Sequence, residues 1–180
     1  GKREERVAVV VLERQTLNST LNTESSYLLV RRPEGGLLGG LWEFPSAVTE
    51  LEATSSDFYA PVDAVVDAAF NPRCGELKSR TELGEVTHTF SHVRHTYVVR
   101  HEVVVVTETE ANGPERGGGE EGGCREWRWV TATELDTLGL SSGVRKIQTL
   151  LGKKEKTVKV KKGESAIGKM FAAKKAKTGE

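Results

Sequence analysis

The sequence predicts an α/β or α+β sandwich. Three observations carry that expectation: short β-branched runs bounded by turn residues, two stretches with helical spacing of apolar positions, and a length of 180 residues, enough for one domain with a real core. No apolar run approaches the roughly 18 to 20 residues needed to cross a bilayer, and no basic start leads into a short apolar segment with a small-residue cleavage site. A soluble, non-secreted protein with no membrane partner is expected.

Val7-Ala8-Val9-Val10-Val11-Leu12 has the length and β-branching of a buried strand. The polar stretch from Leu17 to Ser26 reads as a long hairpin loop, followed by a second strand, Tyr27-Leu28-Leu29-Val30-Arg31-Arg32, that Pro33 stops. A glycine-rich segment, Gly35 to Gly40, leads into Leu41-Trp42-Glu43-Phe44-Pro45. From Ala60 to Phe70 the positions Val62, Val65, Val66, Ala69 and Phe70 follow helical spacing, with Pro61 acceptable in the first turn and Asn71-Pro72 closing the element. Leu83 to Phe90 and Tyr97 to Val106 have strand composition and flank a polar link, Ser91 to His95. Residues 111–123 hold six glycines and one proline and are expected to be a mobile loop. Glu126 to Val130 alternates like a strand, Thr131 reads as the N-cap of a short helix with Glu134 at N3, and Val144, Ile147, Leu150 and Leu151 share a face of a second helix. The three tryptophans, Trp42, Trp127 and Trp129, read as core or sheet-face residues rather than base-stacking ones.

The formal charge is zero, with 26 Lys and Arg against 26 Asp and Glu, but the balance is uneven along the chain. Residues 152–180 hold ten lysines and three glutamates, which puts +7 there and −7 on residues 1–151. That basic segment is too charged to pack on the core and reads as a disordered tail. Two cysteines, Cys74 and Cys124, are too few for a zinc site or a cubane cluster, which usually take four ligands. Free thiols are the expected state, with a disulfide as the alternative, and the Asn18-Ser19-Thr20 sequon is read as chance.

Gly39-Gly40-Leu41-Trp42-Glu43-Phe44-Pro45 resembles the stretch before the catalytic box of Nudix domains. Hydrolases of that family then require a helix with R-E-x-x-E-E, whose carboxylates hold divalent metals. Here the candidate helix Ala60 to Phe70 offers only Asp63 and Asp67. A more specific resemblance resolves this. Leu28-Leu29-Val30-Arg31-Arg32-Pro33, the Gly36 to Ser46 segment, and His88-Thr89-Phe90-Ser91-His92 are similar, in order and spacing, to the C-terminal domain of MutY-type adenine DNA glycosylases of eukaryotes. That domain is a Nudix-like α/β/α sandwich with a mixed central sheet and a degenerate box.

The resemblance covers about residues 6–151 and implies a base-excision repair role: recognition of 8-oxoguanine opposite adenine, so that the enzyme removes the mispaired adenine. Residues 1–5 would end an interdomain connector. Phe90, Ser91 and His92 would contact the oxidised base, since one hydroxyl can both donate and accept toward the N7–H and C8 oxygen that distinguish it from guanine. From residue type alone, Phe90 suits a core position and His92 a solvent-facing one. Arg31 and Arg32 suit either phosphate contact or a strand-end surface. No catalytic residue, cofactor or metal is expected in this chain; the catalytic domain and its 4Fe-4S cluster would lie N-terminal to it. The partner is double-stranded DNA carrying 8-oxoguanine:adenine, and a monomer is expected, in the nucleus with a mitochondrial form as the alternative.

In the tail, Glu164, Ile167, Met170 and Phe171 are similar to the peptide Q-x-x-[ILM]-x-x-[FY]-[FY] that binds the replication sliding clamp, PCNA, with Glu and Met replacing two of its residues. A solvated lysine-rich segment is the bland alternative. Two rival functions stand beside the main one: an active Nudix diphosphohydrolase on an oxidised nucleotide, and a protein-interaction scaffold whose tail is the active part.

Overall fold

The computed structural model describes residues 1–18, 20, 23–36, 38–50, 52, 55–70, 75–119 and 124–156. Its elements are β1 (Arg3–Leu17), β2 (Thr23–Arg31), β3 (Trp42–Glu43), β4 (Ser46–Thr49), α1 (Ser55–Phe58), α2 (Ala60–Ala69), β5 (Glu76–Thr89), β6 (Val93–Thr107), α3 (Glu108–Ala111), β7 (Arg116–Gly119), β8 (Cys124–Thr131) and α4 (Ala132–Thr137). A last helix, α5, spans residues 142–156.

One mixed sheet runs β5-β6-β1-β2-β8-β7, with β3 added to β2 and β4 to β1. The β1–β6 pair is parallel and the other pairs are antiparallel. Because side chains alternate across a strand, β1 supplies both cores. Ala8, Val10 and Leu12 meet Val62, Val66 and Ala69 of α2 on one face. Val7, Val9 and Val11 meet Leu135 of α4 and Val144, Ile147 and Leu151 of α5 on the other. The result is the expected α/β/α sandwich, with Pro61 in the first turn of α2 and a complete capping box between Thr131 and Glu134.

Five segments differ from the sequence expectation. The polar link Ser91 to His95 is shorter, because β6 starts at Val93 and Val93 to His95 belong to the sheet. β1 starts at Arg3, paired with Val93, so residues 3–5 belong to the sheet rather than to a connector. The presumed loop from Leu17 to Ser26 is shorter, because Thr23 to Ser26 continue the ladder against Arg14 to Leu17 with polar side chains. Part of the glycine-rich stretch 111–123 is also ordered: Arg116 to Gly119 form β7 on β8. A Cβ on Gly117 would lie 2.7 Å from the Trp127 indole, so close approach, not flexibility, explains that glycine. Finally, α5 runs past residue 151 to 156, with Lys154 Nζ donating to the Glu82 carbonyl at 3.0 Å. The clamp-peptide residues Glu164, Ile167, Met170 and Phe171, and Cys74, lie outside the described residues; Cys124 is a free thiol.

Candidate nucleic-acid interface

Parallel pairing of β1 with β6 brings the starts of both strands to one end of the sheet. The turn between β5 and β6 therefore lies beside Arg3. Phe90 N–H donates to the Val93 carbonyl at 2.8 Å and closes the turn; Arg3 N–H donates to the His92 carbonyl at 3.1 Å and ties it to β1. Phe90 is half-buried, while Ser91 and His92 are exposed. All three predicted residues line one cavity of about 640 Å³, within the range of small-ligand sites.

Behind the turn stands a ladder of rings in edge-to-face contact. His88 and Phe90 are 4.5 Å apart between centroids, Phe90 and His95 5.1 Å, and His95 and Tyr97 5.7 Å. His95 is held from both sides: Nε2 lies 3.2 Å from Glu5 Oε2, and Nδ1 lies 3.3 Å from the Tyr97 hydroxyl. Burial first, then the Glu43 charge, pushes Tyr97 up to about 12. The phenol thus keeps its proton at neutral pH and remains a hydrogen-bonding partner for Nδ1. His88 is shifted the other way, below 6.5, by burial and by the charges of Lys146 and His95. Its Nε2 lies 3.3 Å from the Ser142 hydroxyl, and Lys146 Nζ donates to the Thr87 carbonyl at 2.9 Å, so α5 braces the hairpin tip.

Across the cavity, two arginines share one buried carboxylate. Arg32 Nη1 donates to Glu43 Oε2 at 3.0 Å and Arg125 Nη2 to Glu43 Oε1 at 2.6 Å. Arg125 Nε also donates to the Arg31 carbonyl at 3.0 Å, which fixes its plane. Leu38 completes this wall with a left-handed backbone, φ 61°. Such a conformation costs of order 1–3 kcal/mol in a non-glycine residue and gathers at functional sites.

A family model described as a NUDIX domain matches residues 19–150. The chain belongs to the NUDIX domain family. Its curated relatives include the adenine DNA glycosylase of Arabidopsis thaliana, 35% identical over 144 residues that make up 77% of this chain and 22% of the relative. The adenine DNA glycosylase of Homo sapiens is 32% identical over 151 residues, 81% of this chain and 23% of the relative. The chain thus spans less than a quarter of the length of these relatives. Among solved structures, the complex between the C-terminal domain of mouse MUTYH and human PCNA matches with a TM-score of 0.59 at 26% identity, over 85% of this chain and 90% of that one. The Nudix hydrolase RenU from M. smegmatis matches at 0.52 and 17% identity over 86% of each chain, a likeness of fold alone.

Among the described residues of this NUDIX domain no three His, Cys, Asp or Glu side chains are gathered for a metal. Asp63 on α2 pairs with Arg100, whose guanidinium also lies 4.3 Å over the Tyr59 ring and 3.1 Å from the buried Glu102. A 4Fe-4S cluster does not fit the chain either, which holds two cysteines where four ligands are required. Trp129 is buried and Trp42 and Trp127 are partly buried against the cores, as their composition suggested. The sequence reading found the turn but not its frame. His95 read only as the end of the polar link and Tyr97 only as a strand residue. Arg32 and Glu43 lay inside quoted motifs, but their meeting with Arg125, 82 positions from Glu43, is a tertiary event with no local signal.

Proposed function

We propose that this chain is the part of an adenine DNA glycosylase that recognises 8-oxoguanine opposite adenine, while excision occurs in a domain elsewhere in the whole protein. The observation that carries the reading is an exposed serine, on a turn tied down on both sides, lining a cavity of about 640 Å³ that is large enough to admit a nucleobase. Guanine offers an acceptor at N7, whereas the oxidised base offers an N7–H donor and a C8 oxygen acceptor. Ser91 Oγ can serve both. Phe90, held edge-on by His88 and His95, presents a ring against the base, and His92 is free to meet base or phosphate. The kinship with adenine DNA glycosylases supports the reading.

The test is Ser91→Ala in the whole protein, comparing adenine removal opposite 8-oxoguanine with removal opposite guanine. Loss of one hydrogen bond worth about 1 kcal/mol should reduce that preference roughly five-fold; an unchanged preference overturns the role of Ser91. The rival diphosphohydrolase is disfavoured by the engagement of Asp63 with Arg100, and robust magnesium-dependent pyrophosphate release by this chain would establish it instead.

The same reading assigns the parent enzyme a nuclear role and its iron–sulfur cluster to residues outside this chain. It also assigns Glu164, Ile167, Met170 and Phe171 to sliding-clamp binding. Support for the clamp comes from the mouse relative, whose C-terminal domain was crystallised with PCNA. Titrating a peptide of residues 160–177 against the clamp should show binding that Phe171→Ala removes; no binding at high micromolar peptide sinks this assignment.

A further inference from the structure

The cavity beside the Phe90 turn carries more positive charge than base reading requires. Three arginines line it, Arg3, Arg32 and Arg125, against two glutamates, Glu5 and Glu43, a surplus of one positive charge before any histidine is counted. That surplus stands in a body that is otherwise net acidic, −7 over residues 1–151. It is also shaped. Glu43 is held by one terminal amino group from each of Arg32 and Arg125, a third contact from the Ser46 hydroxyl lies at 3.4 Å, and the Arg31 carbonyl orients Arg125 from behind. Both guanidiniums are part-exposed and each engages the common carboxylate through one terminal amino group, which leaves a second terminal amino group on each for another anion; such paired forks bind phosphate oxygens with geometric specificity. A second depression, of about 670 Å³, shares Arg32, Pro33 and Arg125 with the first and continues toward Arg31 and Glu126, so the pair sits at the junction of one extended groove.

We propose that Arg32 and Arg125, preset by Glu43, form a seat for one phosphodiester of the DNA strand that carries the base read by Phe90, Ser91 and His92. The inference rests on the proposed reading of that turn and adds what aligns the strand: the base enters the first cavity, its neighbouring phosphate rests on the paired guanidiniums, and the backbone leaves along the second depression. Glu43 is a positioning residue here. It neutralises one of the two cations and holds both in place, so that a single anion completes the charge balance. Being a contact to phosphate, the seat is indifferent to sequence and gives register rather than specificity.

The experiment is a salt titration of DNA binding by the full chain, read by fluorescence anisotropy at low ionic strength, where weak binding is measurable. Duplexes with 8-oxoguanine or guanine opposite adenine are compared for the parent chain, Arg125→Gln and Arg125→Lys. The basic tail adds its own salt dependence equally to all three proteins, so differences between them report the seat. Arg125→Gln should weaken both duplexes by the same several-fold factor, leave the lesion preference intact, and reduce the slope of log K against log salt by about 0.9. Arg125→Lys should restore the slope. Replacing the phosphate next to the lesion with an uncharged methylphosphonate should reproduce the loss in the parent chain and add a smaller one in Arg125→Gln, where Arg32 alone remains; the effect in the parent chain keeps the test valid should that variant be poorly folded. An unchanged affinity and slope in Arg125→Gln, or an unaffected methylphosphonate duplex, overturns the seat. If the parent chain shows no lesion preference while the arginine effects persist, the reading of Phe90, Ser91 and His92 fails and the seat stands. Binding of free 8-oxo-dGMP as tight as that of the strand, with the same dependence on Arg125, overturns the DNA strand as the source of the phosphate.

Discussion

Leu38 and Tyr97 face the same cavity and separate two ways in which a residue can serve it. The left-handed backbone at Leu38 costs a branched side chain about 1–2 kcal/mol, whereas glycine adopts it freely. Relief of that strain should offset the lost apolar contacts, so Leu38→Gly should unfold in denaturant within about 1 kcal/mol of the parent while binding lesion DNA less well. A loss above about 2 kcal/mol would mean that the side chain is packed for stability alone. Tyr97 is the reverse case. Its hydroxyl is the partner of His95 Nδ1 at 3.3 Å, and Tyr97→Phe should cost about 1 kcal/mol because that ring nitrogen loses its hydrogen bond in a half-buried site. At this scale the sequence was informative only where neighbours in the chain are neighbours in space. Phe90, Ser91 and His92 are consecutive and could be read as one unit. Leu38 gave no sign of its backbone, because a leucine between glycines is ordinary in composition.

The strands were legible at their centres and not at their ends, for a physical reason. Burial selects apolar residues at the centre, so Val7 to Leu12 and Tyr27 to Val30 announce themselves, whereas the ends are held by backbone pairing that tolerates any side chain, as at Arg3 with Val93 and Ser25 with Gln15. β7 is the extreme case, a strand written almost entirely in glycine. Its geometry requires this composition. Gly118 has φ +77°, and a Cβ there would lie 2.2 Å from the Arg125 carbonyl oxygen. Gly118→Ala should therefore cost about 2 kcal/mol or more, read as a lower denaturant midpoint. Because the clash falls on the backbone of Arg125, the variant should also reproduce part of the DNA-binding loss of Arg125→Gln. A strand that merely frayed, with DNA binding unchanged, would show that β7 does not position that arginine.

Across the whole molecule, charge is segregated and the buried titratable groups act together. An acidic body of −7 is poorly suited to hold DNA through phosphates, so this chain alone should bind weakly and depend on the rest of the parent protein to deliver the lesion; tight, lesion-specific binding by the isolated chain would contradict that. Folding alters the ordinary values of His88, Glu13 and Tyr97, and also of Tyr27 and Tyr59, which burial raises, and Glu110, which hydrogen bonds from Thr107 lower; the first three mark out the response of stability to pH. Burial and the neighbouring Lys146 and His95 charges hold His88 below 6.5, so folding favours the neutral ring; this contribution is complete above pH 6.5 and is lost as pH falls through the lowered value. Glu13 is pushed up by burial, but hydrogen bonds from His101, Ser25 and Gln15 and the His101 charge outweigh it, leaving the carboxyl below 4.5. Its contribution is complete above pH 4.5 and disappears on further acidification. Tyr97, raised from 10 to about 12, has the opposite sign: its contribution is complete below pH 10 and is lost as pH rises through 12. Urea midpoints should accordingly form a plateau between about pH 6.5 and 10, with an acid limb that begins with His88 and steepens with Glu13. His88→Gln should flatten the limb between about pH 6.5 and 4.5 and leave the part below it, whereas Glu13→Gln should make the lower part shallower, leaving the share of Glu110, and lower the plateau itself, because His101 loses its partner at 2.9 Å. A midpoint that does not fall between pH 6.5 and 4.5 in the parent chain would show that His88 is as free to take up a proton in the folded hairpin as in the unfolded chain, and that α5 does not close over it.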